Sequence, residues 1–128
     1  MQRLSYFLAV LFLTTPVHAF TAQNGLGVNQ AGNGFIVPWR GRSAAADFWC
    51  AAGDYVIRGL NQSPTTRIFR VTDRPRRAGE PMAFSLNPGD TAGSTGIFTL
   101  IGAQDGAMSA AMAQSYCEIT RKGRRHSR

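Results

Sequence analysis

Histidine is almost missing from this chain. Of its 128 residues only His18 and His126 are histidines. His18 falls in a segment that reads as a cleavable leader, and His126 sits in a basic C-terminal stretch. The body of the domain therefore has no histidine for a Ser-His-Asp or Cys-His nucleophile arrangement. The usual histidine-rich zinc sites are excluded by the same scarcity. Cysteine is equally rare: Cys50 and Cys117 are the only two, and they form no CxxC pair. Gly32-Asn33-Gly34 and Gly93-Ser94-Thr95-Gly96 lack the lysine and the strand-to-helix setting of a phosphate-binding loop. No apolar run approaches the roughly 20 residues that span a bilayer, so no transmembrane anchor is expected.

What the N-terminus does contain is a secretory pattern. Arg3 supplies a positive start, and an apolar run from Leu4 to Leu13 follows. Pro16-Val17-His18-Ala19 then gives a helix stop and a small-x-small exit. Cleavage is expected after Ala19. That makes 1–19 a signal peptide and the mature chain a secreted or periplasmic protein.

Two cysteines in an exported chain point to a disulfide. Only one intramolecular pairing exists, Cys50 with Cys117, 67 positions apart. Closing a loop of that size stabilises a fold by about 4 kcal/mol in the chain-entropy description. The remaining 109 residues, 20–128, suffice for one domain with a small core.

Charge is the other strong signal. Loss of Arg3 leaves thirteen Lys plus Arg against seven acids, a net charge of +6. Arg74, Arg76 and Arg77 cluster in one segment. Arg121, Lys122, Arg124, Arg125 and Arg128 crowd the last eight residues. Such patches attract polyanions. Export makes nucleic acid an unexpected partner and favours an anionic envelope component or an acidic protein. The plain alternative is a solvated tail that aids solubility.

Periodicity suggests the following order. Residues 26–39 read as a β-hairpin turning at Ala31-Gly32-Asn33-Gly34, with Asn33-Gly34 as the positive-φ pair. Pro38 marks a strand end or an edge. From Ser43, a candidate N-cap, to Leu60 the pattern is helical. Phe48, Trp49, Ala52, Tyr55, Val56 and Leu60 share one broad arc, and Asp47, Asp54 and Arg58 form the narrow polar stripe opposite. Strands are expected at 66–72, 82–86 and 97–101, and a helix at 107–116 with Cys117 at its end. The basic residues 121–128 read as a disordered tail after a single domain at 20–120. The sum is a small α+β domain of order β-β-α-β-β-β-α. It has an antiparallel sheet of about five strands, one long buried helix on it and a C-terminal helix, stapled by one disulfide.

Catalytic chemistry would have to come from carboxylates. Asp47 and Asp54 lie seven apart on one helix face, about 10 Å along the axis, a spacing open to acid-base work in a hydrolase or lyase. Ordinary roles suit them better. Asp47 opposes the helix dipole in the first turn, and Asp54 precedes Arg58 by four, the favourable order for a helical ion pair. Trp39, Phe48, Trp49 and Tyr55 read as core, with Trp39 open to stacking beside Arg40 and Arg42. No catalytic set, cofactor site or metal site emerges. The expectation is an exported, non-enzymatic binding protein, with a carboxylate-dependent hydrolase or lyase as the alternative.

Overall fold

A computed structural model describes residues 19–41, 44–72, 79–92 and 106–126. Residues 1–18 of the leader, the proposed cap Ser43, the arginines at 74, 76 and 77 and the strand expected at 97–101 lie outside the described residues.

Six strands form one sheet. They are β1 (Phe20–Thr21), β2 (Gly27–Ala31), β3 (Gly34–Val37), β4 (Arg67–Arg70), β5 (Met82–Ser85) and β6 (Ala107–Ser109). Their spatial order is β1-β2-β3-β5-β4-β6, and every pairing is antiparallel. Helix α1 (Ala45–Asp54) links β3 to β4, and helix α2 (Ala110–His126) follows β6 directly. The fold is the expected α+β sheet with a buried helix, a C-terminal helix and the Cys50–Cys117 bridge.

The hairpin turns one residue earlier than its composition suggests. Ala31 pairs with Gly34, leaving Gly32-Asn33 as a two-residue loop. Gly32 takes φ +56°, where a side chain would be strained, whereas Asn33 stays at negative φ. β3 ends at Val37, and Pro38 follows where no ladder donor is needed.

Helix α1 begins without a side-chain cap at Ala44. Its regular α-helix stops at Asp54 and runs into a π-helical turn, Tyr55–Gly59. Asn61 then adopts φ +53° and releases the chain toward β4. Phe48, Trp49, Ala51, Ala52 and Val56 enter the core with Val28, Phe35, Val37, Ile68, Met82 and Phe84. Trp49 meets Phe84 edge-on at 4.9 Å, and Tyr55 tilts between Phe20 and Phe35. Trp39 departs from the core reading and is exposed.

Of the polar stripe, Asp47 and Asp54 do not face solvent, whereas Arg58 does. All eight residues from Asp47 to Asp54 are buried, because the sheet covers one side of the helix and α2 the other. Helix α2 crosses closely. A Cβ at Gly53 would lie 2.7 Å from the Ala110 carbonyl oxygen and 2.8 Å from the Ala113 carbonyl carbon. One turn further along, Cys50 and Cys117 are 4.8 Å apart at Cα and bonded.

Two further expectations change. Residues 107–109, read as helix, form β6, because Arg67, Ile68 and Phe69 pair with Ser109, Met108 and Ala107. The helix they precede passes Cys117 and runs on to His126, so the segment 121–126, read as a disordered tail, is helical. The amide ladder gained beside β4 decides the first. No strong helix breaker before Gly123, and cations that suit a helix C-terminus, account for the second.

Candidate functional site

Asp54 is fully buried and saturated with donors. Its Oδ1 accepts from Gln23 Nε2 at 2.9 Å and from Gln114 Nε2 at 3.1 Å. Its Oδ2 accepts from the Gln23 amide at 2.9 Å and from Arg58 Nη1 at 2.8 Å. The ion pair with Arg58 is the expected i,i+4 pair, but it faces inward from Asp54 rather than out to water. The carboxylate ties together the segment after β1, helix α1 and helix α2. Nearby, Asn24 donates to the Asp47 carbonyl at 2.7 Å and holds the same segment to the start of α1.

This geometry leaves no acceptor position open on the Asp54 carboxylate. Asp47 is 8% exposed and Asp54 0%. A group whose four acceptor positions are filled by protein donors has none left for a substrate proton. Asp90 is exposed in a 3-10 turn after β5 and accepts from Ser85 Oγ at 2.7 Å. Two shallow grooves open on the surface. One, of about 270 Å³, holds Gln30, Asn33, Phe35, Tyr55, Leu60 and Leu86. The other, of about 300 Å³, lies on the outer sheet face around Ile36, Val71, Ala83, Ser85 and Asp90. Among the described residues each contains a single titratable side chain, Tyr55 in the first and Asp90 in the second. Among the described residues no group of three His, Cys, Asp or Glu could hold a metal ion.

The cations are organised differently. Gly53 lies against Ala110 and Ala113, and Cys50 bonds Cys117, so α1 and α2 run antiparallel. One more turn brings Thr120 and Arg121 level with the start of α1. Residues 121–126 therefore run on beyond α1 by about 9 Å at 1.5 Å per residue. Arg121, Lys122 and Arg125 are exposed there. Arg124 is part of the same helix; its side chain is outside the described set.

Other elements end at this pole. Tyr55 and Leu60, at the far end of α1, flank the Gly32-Asn33 turn. The start of α1 therefore lies toward the opposite end of the sheet, where β3 finishes and Val37 pairs with Met82. Trp39 and Arg40, both exposed, lie in the connection from β3 to α1. β4 ends and β5 begins at this end as well. The segment that joins them carries Arg74, Arg76 and Arg77, which lie outside the described residues. Arg70, at the end of β4, is 2% exposed and directed to the helix side of the sheet, as its partner Phe84 is.

Sequence reasoning brought Arg121, Lys122 and Arg125 together but placed them on a tail. It missed the joining of Gln23 and Gln114 to Asp54, which no local spacing signals. Comparison of the chain with protein-family models, with curated proteins and with solved structures yields no match.

Proposed function

We propose that this chain is an exported, non-enzymatic binding protein that engages an anionic component of the cell envelope through the pole where α2 ends. The observation that carries this reading is the helical extension bearing Arg121, Lys122 and Arg125, anchored by a disulfide four residues before it. Cations on a fixed helix present a constant field to a partner. Export is supported by the leader pattern and by the disulfide, which suits an oxidising compartment. Cleavage after Ala19 would leave Phe20 to open β1 against Val28. No helix among the described residues is long and apolar enough to cross a membrane.

Binding to dextran sulfate, a soluble polyanion, tests the reading. Affinity should fall steeply with salt, because exposed charges are screened beyond about 8 Å at physiological ionic strength. Replacing Arg121, Lys122 and Arg125 together by alanine should weaken it by roughly tenfold or more at low salt, with an unchanged melting temperature. Equal binding by the triple variant would remove the pole from the function.

A further inference from the structure

Trp49 is fully buried, but Trp39, the only other tryptophan, is 41% exposed. An indole is usually hidden. This one stands two residues past the end of β3, beside exposed Arg40. Their segment leads into the start of α1, at the pole where α2 ends. The arginines of α2 are turned to the same side. Ala110, Ala113 and Cys117 are residues of α2 that meet α1. At 3.6 residues per turn, Arg121 and Arg125 lie about 40° and 80° round the helix from Cys117. They prolong the α1-facing side of α2 past the start of α1, toward the end from which Trp39 and Arg40 lead in. Lys122 is turned about 140° from Cys117. Exposed Glu118, four residues before it, has the spacing that offsets this cation. Glu80, ahead of β5, is the other exposed acid at this pole among the described residues. Arg40, Arg121, Lys122 and Arg125 against these two acids leave the pole positive.

We propose that this pole binds an anionic polysaccharide. A sugar ring stacks on Trp39, and acidic substituents along the polymer meet Arg40, Arg121 and Arg125. The proposal rests on the anion-binding reading of the pole and names its ligand class. Charge complementarity selects an acidic over a neutral polymer. The indole selects a glycan over a ring-free polyanion. One face of a pyranose is lined by C–H groups, and an exposed aromatic plane gives that face an escape from water. A bilayer is disfavoured by the placement of the exposed apolar side chains of α2. Met112 and Ile119 are turned about 140° and 160° from Cys117 in the sense opposite to Arg121 and Arg125. A polymer also suits contacts spread over a surface, whereas a small ligand needs them to converge in a pocket.

The test uses the disulfide-bonded protein and four probes. Polygalacturonate has a ring and a carboxylate in each unit, polyphosphate has charge without rings, and dextran has rings without charge. Phosphatidylglycerol vesicles are the fourth. The variants are Trp39→Ala, and Arg121→Ala with Lys122→Ala and Arg125→Ala. Both sets replace exposed side chains, and equal melting temperatures verify that the fold is retained. The expected result is binding to polygalacturonate and polyphosphate, both weakened by the alanine triple. Trp39→Ala should weaken polygalacturonate binding alone, by about three- to tenfold. Because Trp49 is enclosed, acrylamide quenching of the wild-type fluorescence reads Trp39. Polygalacturonate should shield that ring and polyphosphate should not. Unchanged polygalacturonate binding by Trp39→Ala, with no shielding in the wild type, overturns the glycan proposal while polyphosphate binding upholds the pole reading. Dextran bound as tightly as polygalacturonate, or vesicles bound in preference to it, also overturns the proposal. Binding to none of the anionic probes overturns the proposal and the pole reading together.

Discussion

Asp54→Asn isolates what the buried carboxylate does, because it changes charge and donor pattern with almost no change in shape. Four donors surround the two oxygens: Gln23 Nε2 and Gln114 Nε2 at one, the Gln23 amide and Arg58 at the other. An asparagine must set its NH₂ against one of these pairs. The backbone amide of Gln23 cannot reverse, so the NH₂ goes to the side of the two glutamines. Both glutamine amides can turn to offer their oxygens there. The carbonyl oxygen then receives Gln23 N–H and Arg58, but without the charge that makes such bonds about twice as strong as neutral ones. Charge-assisted bonds contribute about 1.5–3 kcal/mol each and neutral ones about 1. Weakening two of them, with the glutamines rearranged, costs about 2 kcal/mol.

For a domain of this size that lowers the melting temperature by about 9 °C. Asp54→Ala should cost about 4 kcal/mol or more, since it strands several donors and opens a cavity. Arg58→Ala should cost under about 1 kcal/mol, because the arginine side chain is half exposed. Urea unfolding of the oxidised proteins measures all three. An Asp54→Asn variant within about 0.5 kcal/mol of wild type, or an Arg58→Ala variant that costs more than Asp54→Asn, would refute this account.

Two further perturbations probe the helix pair. Gly53→Ala would gain about 1 kcal/mol in an isolated helix, yet here it should lower stability by about 1–2 kcal/mol, because the added Cβ meets the backbone of α2; thermal melts give the sign. Cys50→Ala with Cys117→Ala should lose about 4 kcal/mol, and reduction of the wild-type protein should give the same unfolding midpoint as the double variant.

The parts of the fold that were legible in sequence are those set by local pattern. The hairpin of 26–39, the buried helix and the single disulfide follow from alternation, 3.6-residue periodicity and a count of two. The parts that were not legible depend on remote partners. Asp47 and Asp54 occupy the polar side of α1, and local periodicity assigns that side to water. In the structure α2 occupies it, through Gln114, 60 positions away, while Gln23 reaches Asp54 from 31 positions before it. Residues 107–109 are alanine, methionine and serine, a helical composition, and become a strand only because β4 offers an unpaired edge. Trp39 has the look of core but lies one residue beyond the proline that ends β3.

The same enclosure of α1 separates its buried carboxylates from the exposed cations of α2. With the sheet on one side and α2 on the other, Asp47 and Asp54 are enclosed. Helix α2 is divided by its bridge. Before Cys117, Ala110 and Ala113 are buried, and side chains this small admit the close crossing at Gly53. After it, Arg121, Lys122 and Arg125 are long, charged and exposed, and packing against α1 cannot accommodate them. The disulfide sits at this change and fixes the direction in which the charged half leaves the core. A cationic segment on a loose tail would spread its field over many positions, whereas on this helix Arg121, Lys122 and Arg125 keep a set spacing. On the proposed anion-binding reading, stability and recognition are joined at Cys117. Breaking the bridge should weaken polyanion binding as well as the fold, even under conditions where the reduced protein remains folded.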